Sequence, residues 1–262
     1  MRHKLNLNLR SLDKVVMLIH GGYGCGKTHL IGDMLRHEGK AGLLEKGPPE
    51  SDWVVKGLLA PTLFINVKGE DGTLSVADMA LGDIGETVEN LKDWRELIDE
   101  TKKKQFRAIG LDSMKALCRL VMEGKISVDR PPEKTEYGLI HWFMESLTKE
   151  LRTLAPIVLC VCPSDKSINQ LDGRTYITPD LPGREAAGSA GWFDFVGYLK
   201  AETISATEVK RAITFAPHPG IVTRQRLPRP ITTDITIPSG SGGWFTILTN
   251  LQKALGEEKK NG

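Results

Sequence analysis

The stretch that most constrains this chain is Gly21-Gly22-Tyr23-Gly24-Cys25-Gly26-Lys27-Thr28, which fits the pattern G-x-x-x-x-G-K-[ST] at every required position. A polyphosphate has to lie against bare backbone N–H groups, and glycines let the chain turn through positive φ and present them. Lys27 can place a point charge on the β- and γ-phosphates. The Thr28 hydroxyl suits a Mg2+ ion that keeps most of its water. The residues expected to touch a bound nucleotide run from Gly21 through His29.

The flanks agree with that reading. Val15-Val16-Met17-Leu18-Ile19 is a short, continuous apolar run, as a strand buried on both faces should be. Leu30, Met34 and Leu35 then recur at helical spacing until Gly39, so the loop opens a helix whose amino end favours a bound anion. Strand, loop and helix together make this a Walker A motif.

The same logic carries along the chain. Thr62 to Val67 reads as a second strand that ends at the acidic turn Lys68-Gly69-Glu70-Asp71-Gly72. Asn90 caps an expected helix, with Leu91, Trp94, Leu97 and Ile98 on one face and Lys102 to Lys104 at its end. Phe106 to Leu111 is a strand delivering Asp112 and Ser113, followed by a helix from Met114 to about Glu123. After Pro131-Pro132, Tyr137, Ile140, Phe143, Met144, Leu147, Leu151 and Leu154 form one helical stripe.

Pro156 to Cys162 reads as another buried strand, and 163–191 as a long polar loop with Lys166, Arg174 and Arg184. Phe193 to Leu199 and Lys210 to Phe215 read as later strands with antiparallel character. A Pro/Gly/Ser-rich segment from Pro228 to Gly243 leads into a last amphipathic helix, and Glu257 to Gly262 is a charged tail. The alternation of strands and helices predicts an α/β fold, a mainly parallel sheet covered on both faces. Residues 1–256 are expected to form one domain, with its core at 13–227 and a C-terminal loop and helix at 228–256.

Composition narrows the function classes. With 262 residues and a net charge of +2, the chain has no bulk electrostatic signature of a nucleic-acid binder. It has no apolar run of membrane-spanning length and reads as soluble and intracellular. Cys25, Cys118, Cys160 and Cys162 follow neither a disulfide framework nor a C-x-x-C knuckle. Reduced thiols are expected, and Cys25 in the cradle is expected to be shielded from alkylation by a nucleotide.

A nucleotide hydrolase needs an acid near the Mg2+ ion and a group that orients or deprotonates water. Asp112, at the end of an apolar strand, fits the first task, alongside Thr28. Ser113 follows it where ATPases of the AAA+ type generally keep a catalytic Glu, so the base is sought in the acidic turn, at Glu70 with Asp71 next. No N-K-x-D tetrad reads guanine, which leaves ATP as the expected nucleotide.

With these residues placed, the chain resembles the RecA-like ATPase core, and within it small phage-type P-loop proteins related to single-strand annealing and recombination proteins. The residues that carry the likeness are Gly21 to Thr28, Phe64 to Val67 with Glu70 beyond, Ile109 to Ser113, and Thr223-Arg224-Gln225-Arg226. The resemblance implies ATP- and Mg2+-dependent work on single-stranded DNA by a phage-encoded protein in the host cytoplasm. It also implies self-association into a ring or filament, with Arg224 and Arg226 reaching a neighbour's γ-phosphate and the 163–191 loop meeting DNA. Lys210, Arg211, Arg224, Arg226 and Arg229 form a cationic strip without an acid. Competing readings are a small-molecule P-loop kinase, short of the arginines of a closing lid, and an ATP-switched assembly or helicase-loading module.

Overall fold

The computed structural model describes residues 15–39, 62–69, 84–104, 106–125, 133–168, 173–182, 185–205, 208–240 and 242–255. The strands are β1 (Val15–Gly21), β2 (Thr62–Val67), β3 (Ile84–Val88), β4 (Ala108–Asp112), β5 (Ile157–Ile168), β6 (Thr175–Pro179), β7 (Phe195–Thr203), β8 (Val209–Thr214), β9 (Arg224–Gln225) and β10 (Ile235–Ile237). The helices are α1 (Lys27–Gly39), α2 (Leu91–Lys103), α3 (Met114–Lys125), α4 (Lys134–Leu154), α5 (Glu185–Gly188) and α6 (Gly243–Leu255).

All strands join one sheet in the order β10-β8-β7-β1-β5-β4-β2-β3, with β6 paired to β5 and β9 to β7. The run from β7 to β3 is parallel. Antiparallel pairing is confined to β6, β8, β9 and β10. This is the expected α/β class, with the antiparallel strands toward the C-terminus.

Side-chain alternation sorts the central strands between two cores. Val16, Leu18, Ile65, Leu111 and Cys160 face a layer holding Trp94, Leu117, Met144 and Leu151 of α2, α3 and α4. Met17, Ile19, Phe64, Leu159 and Val161 face Ile31 and Met34 of α1 and Trp244, Ile247 and Leu251 of α6. The parallel strands are therefore apolar on both faces. Asn90 caps α2 as expected, its Oδ1 accepting from the N–H groups of Lys92 at 2.9 Å and Asp93 at 3.1 Å.

Two contacts fix α1. At Gly110 of β4, an added Cβ would stand 2.2 Å from Ile31 Cγ2, so the missing side chain is what lets α1 settle onto the sheet. On the outer side, the buried Asp33 carboxylate accepts from Gly242 N–H at 2.9 Å and from Trp244 N–H at 2.8 Å. It thereby satisfies free donors at the amino end of α6 and favours the positive end of that helix.

The stretch expected to be a polar loop at 163–191 is largely ordered. β5 runs on past Cys162 to Ile168, and Thr175–Pro179 returns antiparallel beside Ser164 to Ile168. The β-branched residues Thr175, Ile177 and Thr178 supply the strand preference that the polar neighbours obscured. Glu70 to Gly72 of the acidic turn lie outside the described residues. Among the described residues, no helix is long and apolar enough to cross a membrane.

Replacing Gly110 with Ala should force α1 outward at Ile31 and cost about 1–3 kcal/mol, the usual range for overpacking a filled core. Denaturant midpoints at an unchanged m-value would measure that loss, and an unshifted midpoint would show that α1 has slack.

Candidate nucleotide-binding site

The loop between β1 and α1 carries Gly24 at φ 72° and Gly26 at φ 99°. At Gly26 the constraint is double, because a Cβ would also stand 3.1 Å from Arg211 Nε. Leu30 N–H donates to Gly26 O at 3.0 Å, so α1 starts as the loop ends and its first free N–H groups point back toward the cradle.

Cys25 Sγ lies 3.8 Å from Lys27 Nζ. Its side chain is buried in the α1-side core, and burial pushes the thiol up, against the lowering effect of Lys27. This corrects the expectation of nucleotide-dependent shielding: burial limits alkylation whether or not a nucleotide is bound. Cys118, Cys160 and Cys162 are likewise buried.

Lys27 Nζ donates to Gly21 O at 3.0 Å and Gly22 O at 2.9 Å, and lies 5.9 Å from the centre of the exposed Tyr23 ring. The ammonium is held at the loop by weak acceptors that a phosphate can replace with charged ones. Beside the loop is a cleft of about 430 Å³, lined in part by Gly24, Lys27, His29, Arg211, Ile237 and Pro238. His29 Nε2 donates to Gly240 O at 3.1 Å, which ties the start of α1 to the segment before α6. The cleft combines an apolar wall with backbone polar groups, chemistry suited to a base and ribose next to the phosphates.

Arg211 is the residue that sequence reasoning undervalued. It was counted within the cationic strip, yet its Nε donates to Cys25 O at 3.1 Å and its side chain lies over Gly26. Strand parity was the available signal. Arg211 shares a face of β8 with Ile213, which is buried in the α1-side core.

On the other side of the loop, Thr28 Oγ1 donates to Asp112 Oδ2 at 2.5 Å. With its proton committed to Asp112, the hydroxyl keeps lone pairs for a cation. A hydroxyl beside a carboxylate is the hard-oxygen donor set that Mg2+ takes, and the pair fits the ion. When bound, Mg2+ would neutralise charge on the β- and γ-phosphates. Ser113, in the position after Asp112, caps α3: its Oγ accepts from Ala116 N–H at 3.3 Å.

The expected arginine pair stands elsewhere. Arg224 donates to Ala190 O, and Arg226 Nη1 lies 3.1 Å from Asp194 Oδ1. Asp194 also accepts from Val16 N–H at 3.0 Å and pairs with Arg152, so this cluster sits at the beginning of β1, while the loop follows its end. The structure does not bring Arg224 or Arg226 to the loop of their own chain. Glu70 and Asp71 lie outside the described residues.

Lys115, on the first turn of α3, pairs with Asp180 just after β6 and donates to Tyr23 Oη at 3.5 Å. Asp180 holds the Lys115 ammonium above its ordinary range, mainly through that hydrogen bond. Behind the loop, His20 Nε2 donates to Val222 O at 2.7 Å, which leaves Nδ1 to accept from Ser164 Oγ at 2.9 Å. Burial, with a smaller contribution from the Lys27 charge and against the Val222 bond, pushes the imidazole down from 6.5 to about 4.

The unfolded chain takes up this proton below its ordinary pKa of 6.5 while the folded chain refuses it until about 4, so stability is full above that window and falls as the pH drops through it. The linked loss is roughly 3 kcal/mol over the window. Denaturant midpoints from about pH 7 to about pH 4 should show this slope, and His20→Gln should flatten it. An unchanged slope would place the acid sensitivity elsewhere.

A family model described as an AAA domain matches residues 13–227, most of the chain and all of the loop, Asp112 and Arg211. No curated protein matches the chain. With a phosphate loop, its Asp112 partner and a base-sized cleft on a mostly parallel α/β sheet, the chain belongs to the AAA-domain family of P-loop ATPases.

Proposed function

We propose that this ATPase is Mg2+-dependent and couples its nucleotide to contact with single-stranded DNA through the β5–β6 hairpin, in recombination, annealing or replication. The observation that carries the reading is the Lys115 bridge. One ammonium contacts Asp180 at the base of the hairpin and Tyr23 of the phosphate loop, three residues beyond Asp112 in sequence. A change in phosphate occupancy at the loop therefore meets a charge that the hairpin shares.

The hairpin supports a binding role. Asp165, Lys166, Ser167 and Ile168 are exposed, and Ile168 keeps 70% of its surface open. The exposed Ile168 with Lys166 offers backbone neutralisation and contact with unstacked bases, while Tyr176 is the only described aromatic residue on the two paired segments. Self-association belongs to the same proposal. Arg226, exposed and paired to Asp194, is the member of the late pair that a neighbouring subunit can recruit to its phosphates.

The test is ATP turnover with and without an unstructured DNA oligonucleotide, together with oligonucleotide anisotropy at low and moderate salt. Binding should weaken with salt, and DNA should change turnover. A chain that neither binds DNA at low salt nor alters its turnover overturns the DNA reading. Lys27→Ala should weaken ATP binding at least about ten-fold, roughly one charge-assisted hydrogen bond. Unchanged binding would remove the nucleotide assignment as well.

A further inference from the structure

Asn66 is the anomaly of the sheet. It stands near the end of β2, 8% exposed, and among the described residues its Oδ1 has no hydrogen-bond donor. Strand packing does not call for an amide there, since Thr62, Leu63, Phe64, Ile65 and Val67 of the same strand are all buried and four of them are apolar. A buried acceptor without a donor costs about 1–3 kcal/mol, so its presence asks for a donor that binds with a ligand.

Register says where that donor would be. Asn66 pairs with Asp112 across the parallel β2–β4 ladder. By alternation Asn66 shares a face with Phe64, and Asp112 with Ala108, and both of these lie in the α1-side core. Asn66 and Asp112 therefore point to the same side, on strands about 4.8 Å apart, where Asp112 accepts from Thr28.

We infer that Asn66 is a positioning residue for the Mg2+–nucleotide complex, its Oδ1 accepting a hydrogen bond from a water that the cation keeps beside Asp112. The inference rests on the Mg2+-dependent nucleotide site proposed above. Mg2+ sheds its water reluctantly, and a site with only a hydroxyl and a carboxylate from the protein leaves several waters whose protons need acceptors. A neutral carboxamide oxygen accepts such a proton's hydrogen bond without removing the proton, so Asn66 orients water and is not a base. The role is distinct from the one expected of Glu70.

Binding measures this without turnover. A fluorescent ATP analogue is titrated into the full chain over a range of Mg2+ and in EDTA, with thermal midpoints recorded alongside. Asn66→Leu should raise the Mg2+ concentration for half-maximal binding about ten-fold, leave metal-free affinity within about two-fold, and keep or raise the thermal midpoint, because an orphaned polar atom is replaced by an apolar group. Asn66→Asp, which keeps an acceptor oxygen in place, should have a Mg2+ midpoint at or below that of the unaltered chain.

An unmoved midpoint in Asn66→Leu, or an Asn66→Asp chain as impaired as Asn66→Leu, overturns the inference while leaving the nucleotide site standing. An Asn66→Leu chain that fails to fold also overturns it, since the amide would then be serving the fold. If the unaltered chain binds no analogue even with Mg2+, the underlying reading fails and takes this inference with it.

Discussion

The carboxy end of this sheet depends on one hydrogen bond, from Thr28 Oγ1 to Asp112 Oδ2. It joins the first turn of α1 to the end of β4, although β5 lies between β4 and the strand from which α1 departs. Spanning that gap means crossing two strand spacings of about 4.8 Å each. The helix must therefore lean across the sheet and lie close to β4. Gly110 answers that demand, because any side chain there would occupy the space of Ile31. A glycine that reads in sequence as a weak point in a strand is the reason that the phosphate loop and its acid can meet.

The same lean sets what each side of the loop can do. Toward β4 and β2 lie the oxygen donors, Thr28 and Asp112, with Asn66 next in register. Toward β7 and β8 lie Arg211 and the cleft, closed by the segment before α6. Asp33 holds that segment through two backbone N–H groups, so α1 carries both the phosphate-binding end and the anchor for the far wall of the cleft. The C-terminal helix thus belongs to the architecture of the site even though it follows the phosphate loop by some two hundred residues.

Legibility from sequence followed the strength of local patterning. The mainly apolar runs of β1, β2 and β4 and the stripe of α4 were readable because burial on both faces leaves a short unbroken apolar run and burial along one helical face leaves a helical period. Asn90 was readable as a cap for the same local reason. The β6 strand was not, because Thr175 to Pro179 is a polar segment whose partner is another polar segment, Ser164 to Ile168, and the pairing exists only in three dimensions. Arg224 and Arg226 were singled out by charge and resemblance for a role at a neighbouring subunit's phosphates, and within their own chain they stand at the start of β1 and β7. Arg211 needed the tertiary fact that β8 stands two strands from β1. Asn66 carried no signal at all until its register with Asp112 was known.

The ion pairs explain how these parts can act together. Several charged contacts among the described residues join exposed residues on one helix, such as Lys149 with Glu145, and contribute little beyond solvation. The Lys115–Asp180 pair differs because its members belong to α3 and to the end of the hairpin, and because Lys115 also reaches Tyr23. A phosphate in the loop brings negative charge toward the same region and competes with Asp180 and the Tyr23 hydroxyl for the attention of cations at the loop. The hairpin continues β5, a strand paired to β4 as far as Val161 and to β1 as far as Pro163, and Ile177 of β6 is also hydrogen-bonded to Gly220 and Val222. The outer half of β5, from Ser164 on, pairs with β6, and His20 is bonded to Ser164 where that pairing begins. The arm is therefore joined to the sheet at a paired strand and to the phosphate loop through the Lys115 charge, the two links on which the proposed nucleotide-responsive contact rests.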